Sequence, residues 1–251
     1  MPEFISILGA SLNSEKHIRR NLSSVYEQKF SGVEHIIIDG DSKDDTINII
    51  KRYQNKYLLE YVSEPDEGIA DALNKGLTRL KGKYVLVLHA DDRLISRDVL
   101  KKIYPVIKSE EHDIYSFPVL VNCPKTGMKP CKPFPLHWWY HFKTIIPHQG
   151  AFVHRRVYEK IGGFRKEFTI GMDYDFFYRA FKAKCTVNRQ KEFVSVMGGA
   201  GISNNPQALE KRLAEEHRVQ QLNEENVLWK MAQMVFRFIY MPYKTKLLSK
   251  F

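Results

Sequence analysis

Four short segments gather the residues able to do chemistry: IIIDGDSKDDT at 36–46, EPDEGIADALNKG at 64–76, LHADD at 88–92 and GMDYDFFYRA at 171–180. Their common ingredient is the carboxylate. Crowded carboxylates repel one another unless a cation or hydrogen-bond donors offset the charge. Hard oxygen ligands with no thiolate nearby suit Mg2+ or Mn2+, ions that bridge one or two carboxylates to substrate phosphates. Helix capping is the competing use. It suits Asp44 and Asp45, which precede an apolar helical period, but not Asp91 and Asp92, which follow the wholly apolar run Tyr84–Leu88. No Walker phosphate loop and no GxGxxG fingerprint occurs, which removes the main support for P-loop and dinucleotide-binding proteins.

Strands and helices must bring these acids together. Phe4–Gly9, His35–Asp39, Leu58–Val62 and Tyr84–Leu88 read as strands. Between them three sets recur at helical spacing: Ile18, Leu22 and Val25; Ile47, Ile50 and Tyr53; Ile69, Leu73, Leu77 and Leu80. Asn13 or Ser14 is expected to cap the first helix and Gly82 to end the third. This alternation predicts an α/β fold, a Rossmann-like, mostly parallel central sheet flanked by helices. Ligands of such sheets bind outside the carboxyl ends of the strands. Those ends carry Ala10–Asn13, Asp39, Ser63–Gly68 and His89–Asp92.

Beyond Asp92 the pattern loosens. A helix over 96–108, bent or shortened by Pro105, precedes a strand over 113–122 and a Pro-, Lys- and aromatic-rich stretch over 123–150. Helices over 155–161 and 173–183, a strand over 192–197, a glycine-bearing loop over 198–206 and an amphipathic helical segment over 207–251 complete the reading.

The chain has 251 residues, 43% hydrophobic and 27% charged, which excludes global disorder. Three cysteines (Cys123, Cys131, Cys185) do not make a disulfide framework and point to a reducing compartment. MPEFISILGASLN lacks the basic start of a signal peptide, and no apolar run approaches the roughly 18–20 residues of a spanning helix. The net charge of +10 asks for an anionic partner, yet it is unevenly spread. Residues 34–71 hold ten acids and four bases; residues 122–166 hold nine bases and one acid; residues 226–251 hold five bases and no acid.

In this order and spacing, the four segments resemble the family 2 inverting glycosyltransferases of the GT-A fold, in particular the bacterial enzymes that build capsule, O-antigen or exopolysaccharide repeat units. The resemblance covers roughly residues 3–205. It implies a GT-A catalytic domain over 1–206, with a nucleotide-sugar half over 1–95 and an acceptor half over 96–206, followed by a C-terminal basic amphipathic helical tail over 207–251. The activity implied is metal-dependent transfer, with inversion, from a nucleotide-sugar to a saccharide or lipid-diphosphate-linked saccharide, with Mg2+ or Mn2+ as cofactor. Asp39 matches the aspartate that accepts a hydrogen bond from the base imide, which favours a UDP-sugar. Ala10 and Asn13 match the end of the first strand, which lines base and ribose; Leu12 stands where an aromatic is common. Asp92 matches the metal ligand and Asp91 its ribose or metal neighbour, with His89 where many relatives carry Asn or Asp. Asp66, Asp71 and Asn74 fall in a second donor-lining segment.

Asp173 matches the catalytic base, which fits an inverting attack that needs a carboxylate to take the acceptor's proton. It also sits where it could simply cap a helix, and Met172 replaces the usual preceding acid. Asp175 is expected to hold the base or nearby backbone. His148 and Gln149 resemble a segment that approaches the sugars. Trp138 and Trp139 suit either a sugar face or the core. The 198–206 loop suits a lid over the diphosphate. The tail interleaves Trp229, Met234, Phe238, Ile239, Tyr240 and Phe251 with Lys230, Arg237, Lys244, Lys246 and Lys250. That pattern fits either an anionic membrane surface or packing against the catalytic domain. The location implied is cytoplasmic, with peripheral attachment to the cytoplasmic face of the inner membrane. Two other readings are a nucleotidyltransferase, which would need a basic glycine-rich loop where ASLNSEKH stands, and a non-catalytic nucleic-acid-binding module. Acid-rich strand ends oppose the second, and no nucleic-acid partner is expected.

Overall fold

The computed structural model describes residues 4–123, 126–199 and 208–248, with residues 241–248 as backbone only. Seven strands form the central sheet: β1 (Ile5–Ser11), β2 (Val33–Asp39), β3 (Leu59–Ser63), β4 (Tyr84–Val87), β6 (Ile114–Ser116), β9 (Ala151–His154) and β10 (Val187–Arg189). Their order is β10-β6-β9-β4-β1-β2-β3. β1 runs parallel to β2 and β4, β2 to β3 and β6 to β10; β9 alone of these strands is antiparallel to its neighbours. Every residue of β2 and β4 is buried, as expected of strands covered on both faces. A second sheet, in the order β5-β11-β7-β8, comprises β5 (Arg93–Leu94), β7 (Val119–Cys123), β8 (Gly127–Cys131) and β11 (Ser195–Met197).

Helices α1 (Ile18–Tyr26), α2 (Thr46–Lys51), α3 (Ile69–Leu77), α4 (Val99–Ser109), α5 (Arg155–Ile161) and α6 (Met172–Lys182) cover the sheet. α7 (Leu209–Asn223) and α8 (Val227–Leu248) follow. α1 turns its expected apolar row inward, whereas α3 buries Leu73 with Ala70, Asp71, Ala72 and Gly76 and leaves Ile69 and Leu77 half-buried. The largest core cluster joins β1, β2, β4 and α3 to the aromatic face of α6, including Tyr174, Phe176, Phe177, Tyr178 and Phe181.

Several local expectations are corrected. Neither Asn13 nor Ser14 caps α1: Asn13 adopts φ +46° and its Oδ1 accepts from the Lys43 amide at 2.9 Å, while the helix begins after His17. Asp45 occupies the cap position of α2 but makes no capping bond, its carboxylate taking the Asn48 side-chain amide at 2.8 Å; Asp44, one residue earlier, accepts from the Thr46 amide at 3.0 Å. α3 ends at Leu77, not at Gly82, which lies under β1 and donates to Ser6 Oγ. Pro105 stays inside α4; the helical donor it lacks is missing at the exposed Lys101 carbonyl, where water can replace it. The expected strand over 113–122 is two strands in two sheets. Pro118, with no N–H for a ladder, stands at the switch between β6 and β7.

Candidate active site

The carboxyl ends of β1 to β4 lie along one edge. Asp39 ends β2 and is fully buried; its carboxylate accepts from the Ser42 amide at 2.9 Å, from Ser42 Oγ at 2.6 Å and from Ser63 Oγ at 2.9 Å. Ala10 pairs with Ile38 one position before that end. Asp66 accepts from the Gly68 amide at 2.8 Å and lies against Gly40, where a Cβ would fall 2.6 Å from its Oδ2. Only glycine leaves that carboxylate in place. Asp71 faces another element: Lys166 at 2.5 Å and Lys75 at 3.4 Å flank it, and hydrogen bonding from Lys166 holds its carboxyl down at about 2. Asn74 uses both ends of its amide on Phe164, donating to the carbonyl at 2.7 Å and accepting from the amide at 2.8 Å. Asp71 and Asn74 therefore fasten the 162–168 loop to α3.

The turn after β4 is built around Asp92. Its Oδ2 accepts from the His89 amide at 3.0 Å, its Oδ1 from the Gly198 amide at 2.9 Å, and the Gln149 side chain also bonds to it. Burial and the charge of Asp91 push its carboxyl up. Gly198 is confined to glycine because a Cβ there would lie 2.2 Å from Asp91 Oδ2. Asn21, buried on the apolar face of α1 between Ile18 and Leu22, donates to the His89 and Asp92 carbonyls at 2.9 and 3.1 Å. A polar residue in a core-facing helical position was the available signal for it.

Asp91, Asp92, His89, His148, Gln149 and Asp173 line one cavity of about 460 Å³. The His89 and His148 rings meet edge to face at 6.4 Å. Burial lowers both imidazoles, His148 to about 3, so neutral rings face the cavity at pH 7. Asp173 lies in the first turn of α6, whose cap is Gly171; its Oδ1 accepts from the Tyr174 amide at 2.7 Å. Burial pushes its carboxyl up to about 6, and the negative charge of Glu216 acts in the same direction. Asp175 faces away, fully buried against Arg179 at 2.8 Å, Asn223 at 2.9 Å and Arg165 at 3.1 Å. Arg179 in turn binds the Ile161 and Gly163 carbonyls, so Asp175 does hold nearby backbone.

Trp138 is not brought to this cavity. It stacks on Trp229 of α8 at 6.4 Å, while Trp139 packs against Phe236 at 5.7 Å. Arg212 and Glu216, from one turn of α7, line the cavity and were missed in sequence. Of the 198–206 loop, residues 200–206 lie outside the described residues, as do Lys250 and Phe251 of the tail and the side chains of Lys244 and Lys246.

A divalent ion fits the chemistry of the β4 turn. His89 Nδ1 is buried without a partner among the described residues, and Asp91 and Asp92 are adjacent carboxylates. No three His, Cys, Asp or Glu side chains among the described residues form a metal cluster by themselves, so substrate oxygens would have to complete the shell.

Residues 6–172 match the model of Glycosyl transferase family 2. The chain belongs to this family. Family 2 membership, and the enzyme class it carries, takes the place of the nucleotidyltransferase and non-catalytic readings. One relative, an uncharacterised glycosyltransferase of Mycobacterium tuberculosis, is 30% identical over 179 residues, covering 70% of this chain and 68% of the relative. Among solved structures, Staphylococcus aureus TarS 1–349 in complex with UDP-GlcNAc aligns with a TM-score of 0.73 at 18% identity, covering 95% of this chain and 73% of that one. A mannosyltransferase from Pyrobaculum calidifontis, in complex with GDP-Man and Mn2+, aligns with a TM-score of 0.65 at 19% identity, covering 86% and 64%. These neighbours are GT-A family glycosyltransferases, and this chain has the same mixed α/β fold with a mostly parallel central sheet flanked by helices.

Proposed function

We propose that this family 2 enzyme transfers a sugar, with inversion, from a UDP-sugar to a saccharide or lipid-diphosphate-linked saccharide in bacterial surface polysaccharide synthesis. The observation that carries the reading is that Asp173, pushed up to about 6, and the Asp91–Asp92 turn line the same cavity. Asp39, Ala10, Asn13 and Asp66 at the adjoining strand ends hold base and ribose. Asp91 and Asp92, with His89 Nδ1, would hold Mg2+ or Mn2+. When bound, that ion supplies a Lewis acid that offsets charge on the departing diphosphate.

Asp173 takes the proton of the acceptor hydroxyl as its oxygen forms a bond to the anomeric carbon. The bond from that carbon to the phosphate oxygen breaks on the opposite face, and the electron pair leaves with UDP. His148 and Gln149, neutral at pH 7, offer hydrogen bonds to the sugar hydroxyls. The catalytic unit is taken as 1–206, with α7 closing one wall of its cavity. Attachment to the cytoplasmic face of the membrane is assigned to α8. Support for a UDP donor is the UDP-GlcNAc complex of TarS, and support for the ion is the Mn2+ of the mannosyltransferase.

A screen of UDP-sugars for UDP release, with and without Mn2+, tests the reading. One sugar is expected to be turned over preferentially, only with the ion, and Asp173→Asn is expected to lower that rate about 10²–10⁴-fold while leaving UDP binding intact. Full activity of Asp173→Asn overturns the assignment of the base.

A further inference from the structure

The loop that enters α6 is held from outside the stretch that matches the family model. Glu215, buried in α7, places a single carboxylate oxygen, Oε2, against three successive backbone amides: Thr169 at 3.0 Å, Ile170 at 2.7 Å and Gly171 at 2.8 Å. All three residues line the cavity, immediately before Met172 and Asp173. The approach is close: a Cβ on Gly171 would meet Glu215 Cβ at 3.3 Å. These amides precede or begin α6, where the helix has few carbonyls of its own to offer them. An anion there is also favoured by the positive end of the helix dipole. Ordinary capping would use a side chain local in sequence; here the acceptor comes from 44–46 residues downstream.

We infer that Glu215 is a positioning residue for transfer: it fixes the 169–171 backbone and thereby the direction in which Asp173 meets the acceptor hydroxyl. This rests on Asp173 being the base. The Asp173 carboxylate bonds to local backbone, to the Tyr174 amide and to its own, so its placement depends on the course of the chain into the helix. Three amides converging on one buried carboxylate oxygen hold that course more firmly than a single bond would. A displacement of about 1 Å at a reacting group can cost about 10²-fold in rate. The same turn of α7 brings Arg212 and Glu216 to the cavity, so helix and base are registered together.

Glu215→Gln keeps an acceptor oxygen of the same reach but no charge; Glu215→Ala removes it. UDP release from the UDP-sugar chosen by the screen is expected to fall about 10-fold in kcat for the first and about 100-fold for the second. KM for the UDP-sugar and the affinity for UDP are expected to change less than twofold in both. Amide hydrogen exchange at 169–173 is expected to quicken in the alanine variant and to be largely restored in the glutamine variant. The double variant Asp173→Asn/Glu215→Ala is expected to be no slower than Asp173→Asn alone, because residues acting as one unit are not additive. If Asp173→Asn is inactive while Glu215→Ala keeps kcat within twofold, the positioning role is wrong and the base stands. If Asp173→Asn is active, the base assignment fails instead. Equal loss of UDP affinity and kcat in the well-folded glutamine variant would also overturn the inference, since it would mark a general structural role.

Discussion

Asp173 illustrates what a residue's neighbours decide and its sequence position does not. In sequence it could cap a helix or act as a base; in the structure Gly171 is the cap and the Asp173 carboxylate is at the cavity. Its ionisation sets a pH limb. A base pushed up to about 6 is protonated, and idle, below that value, so kcat/KM for UDP release is expected to fall about tenfold per pH unit below pH 6 and to level off above it. Glu216→Gln removes a negative charge that favours the protonated form, so the limb is expected to move to lower pH; a shift to higher pH would contradict this cause. Asp39, Asp91, Asp92 and Asp173 were legible as cavity candidates because each sits at a strand end or helix start that periodicity locates, whereas His148 and Gln149, in an aperiodic stretch, were pointed to only by the resemblance. Asn74 and Glu215 act through partners far along the chain, Arg212 reaches the cavity because α7 packs beside α6, and Trp138 was ambiguous because an aromatic suits a sugar and a helix equally.

At the level of elements, α6 depends on an ion cluster around the fully buried Asp175, with Arg179 nearly buried and Arg165 36% exposed. Asp175 joins Arg179 of its own helix, Arg165 of the preceding loop and Asn223 of α7. Asp175→Asn leaves two arginines without their counter-charge, and stability is expected to drop by about 3–5 kcal/mol, read as a lower urea midpoint. Arg79→Ala, which breaks an exposed pair with Glu60, is expected to cost less than about 1 kcal/mol in the same assay. Equal losses would mean that burial does not govern these pairs. The first half of the fold followed from hydrophobic period, since β1 to β4 and α1 to α3 alternate with short connections. The second half did not. β9 is an antiparallel insertion between β4 and β6, and a proline-containing run serves two sheets, neither of which leaves a local period to read.

Over the whole molecule, the net charge of +10 resolves into an acid-rich edge at the strand ends and a C-terminal helix without acids. α8 meets the expectation of packing against the catalytic domain with one face and leaves its other face apolar and exposed. Trp229, Gln233 and Phe236 pack inward, with Trp229 stacked on His141 at 4.0 Å and Gln233 donating to the His141 carbonyl at 2.9 Å. The opposite face carries Val227, Leu228, Met231, Met234, Val235, Phe238 and Ile239, each 60–83% exposed. No helix among the described residues is long and apolar enough to cross a membrane, and a one-sided apolar face of this kind suits the plane of a bilayer surface. Burying a large apolar side chain is worth about 1.5–3 kcal/mol, and each lysine or arginine near an anionic surface adds about 1 kcal/mol. With Lys230 on the same helix and no acid within residues 227–248, the two contributions act together. The chain is therefore expected to float with phosphatidylglycerol-containing vesicles at low salt, to float less at high salt, and to stay behind with phosphatidylcholine alone. Met234→Glu/Phe238→Glu is expected to abolish flotation while UDP release stays within twofold, because neither side chain reaches the cavity. Absence of flotation by the unaltered chain, or a concentration-dependent dimer that the double variant dissolves, would assign the stripe to a second copy instead of to lipid.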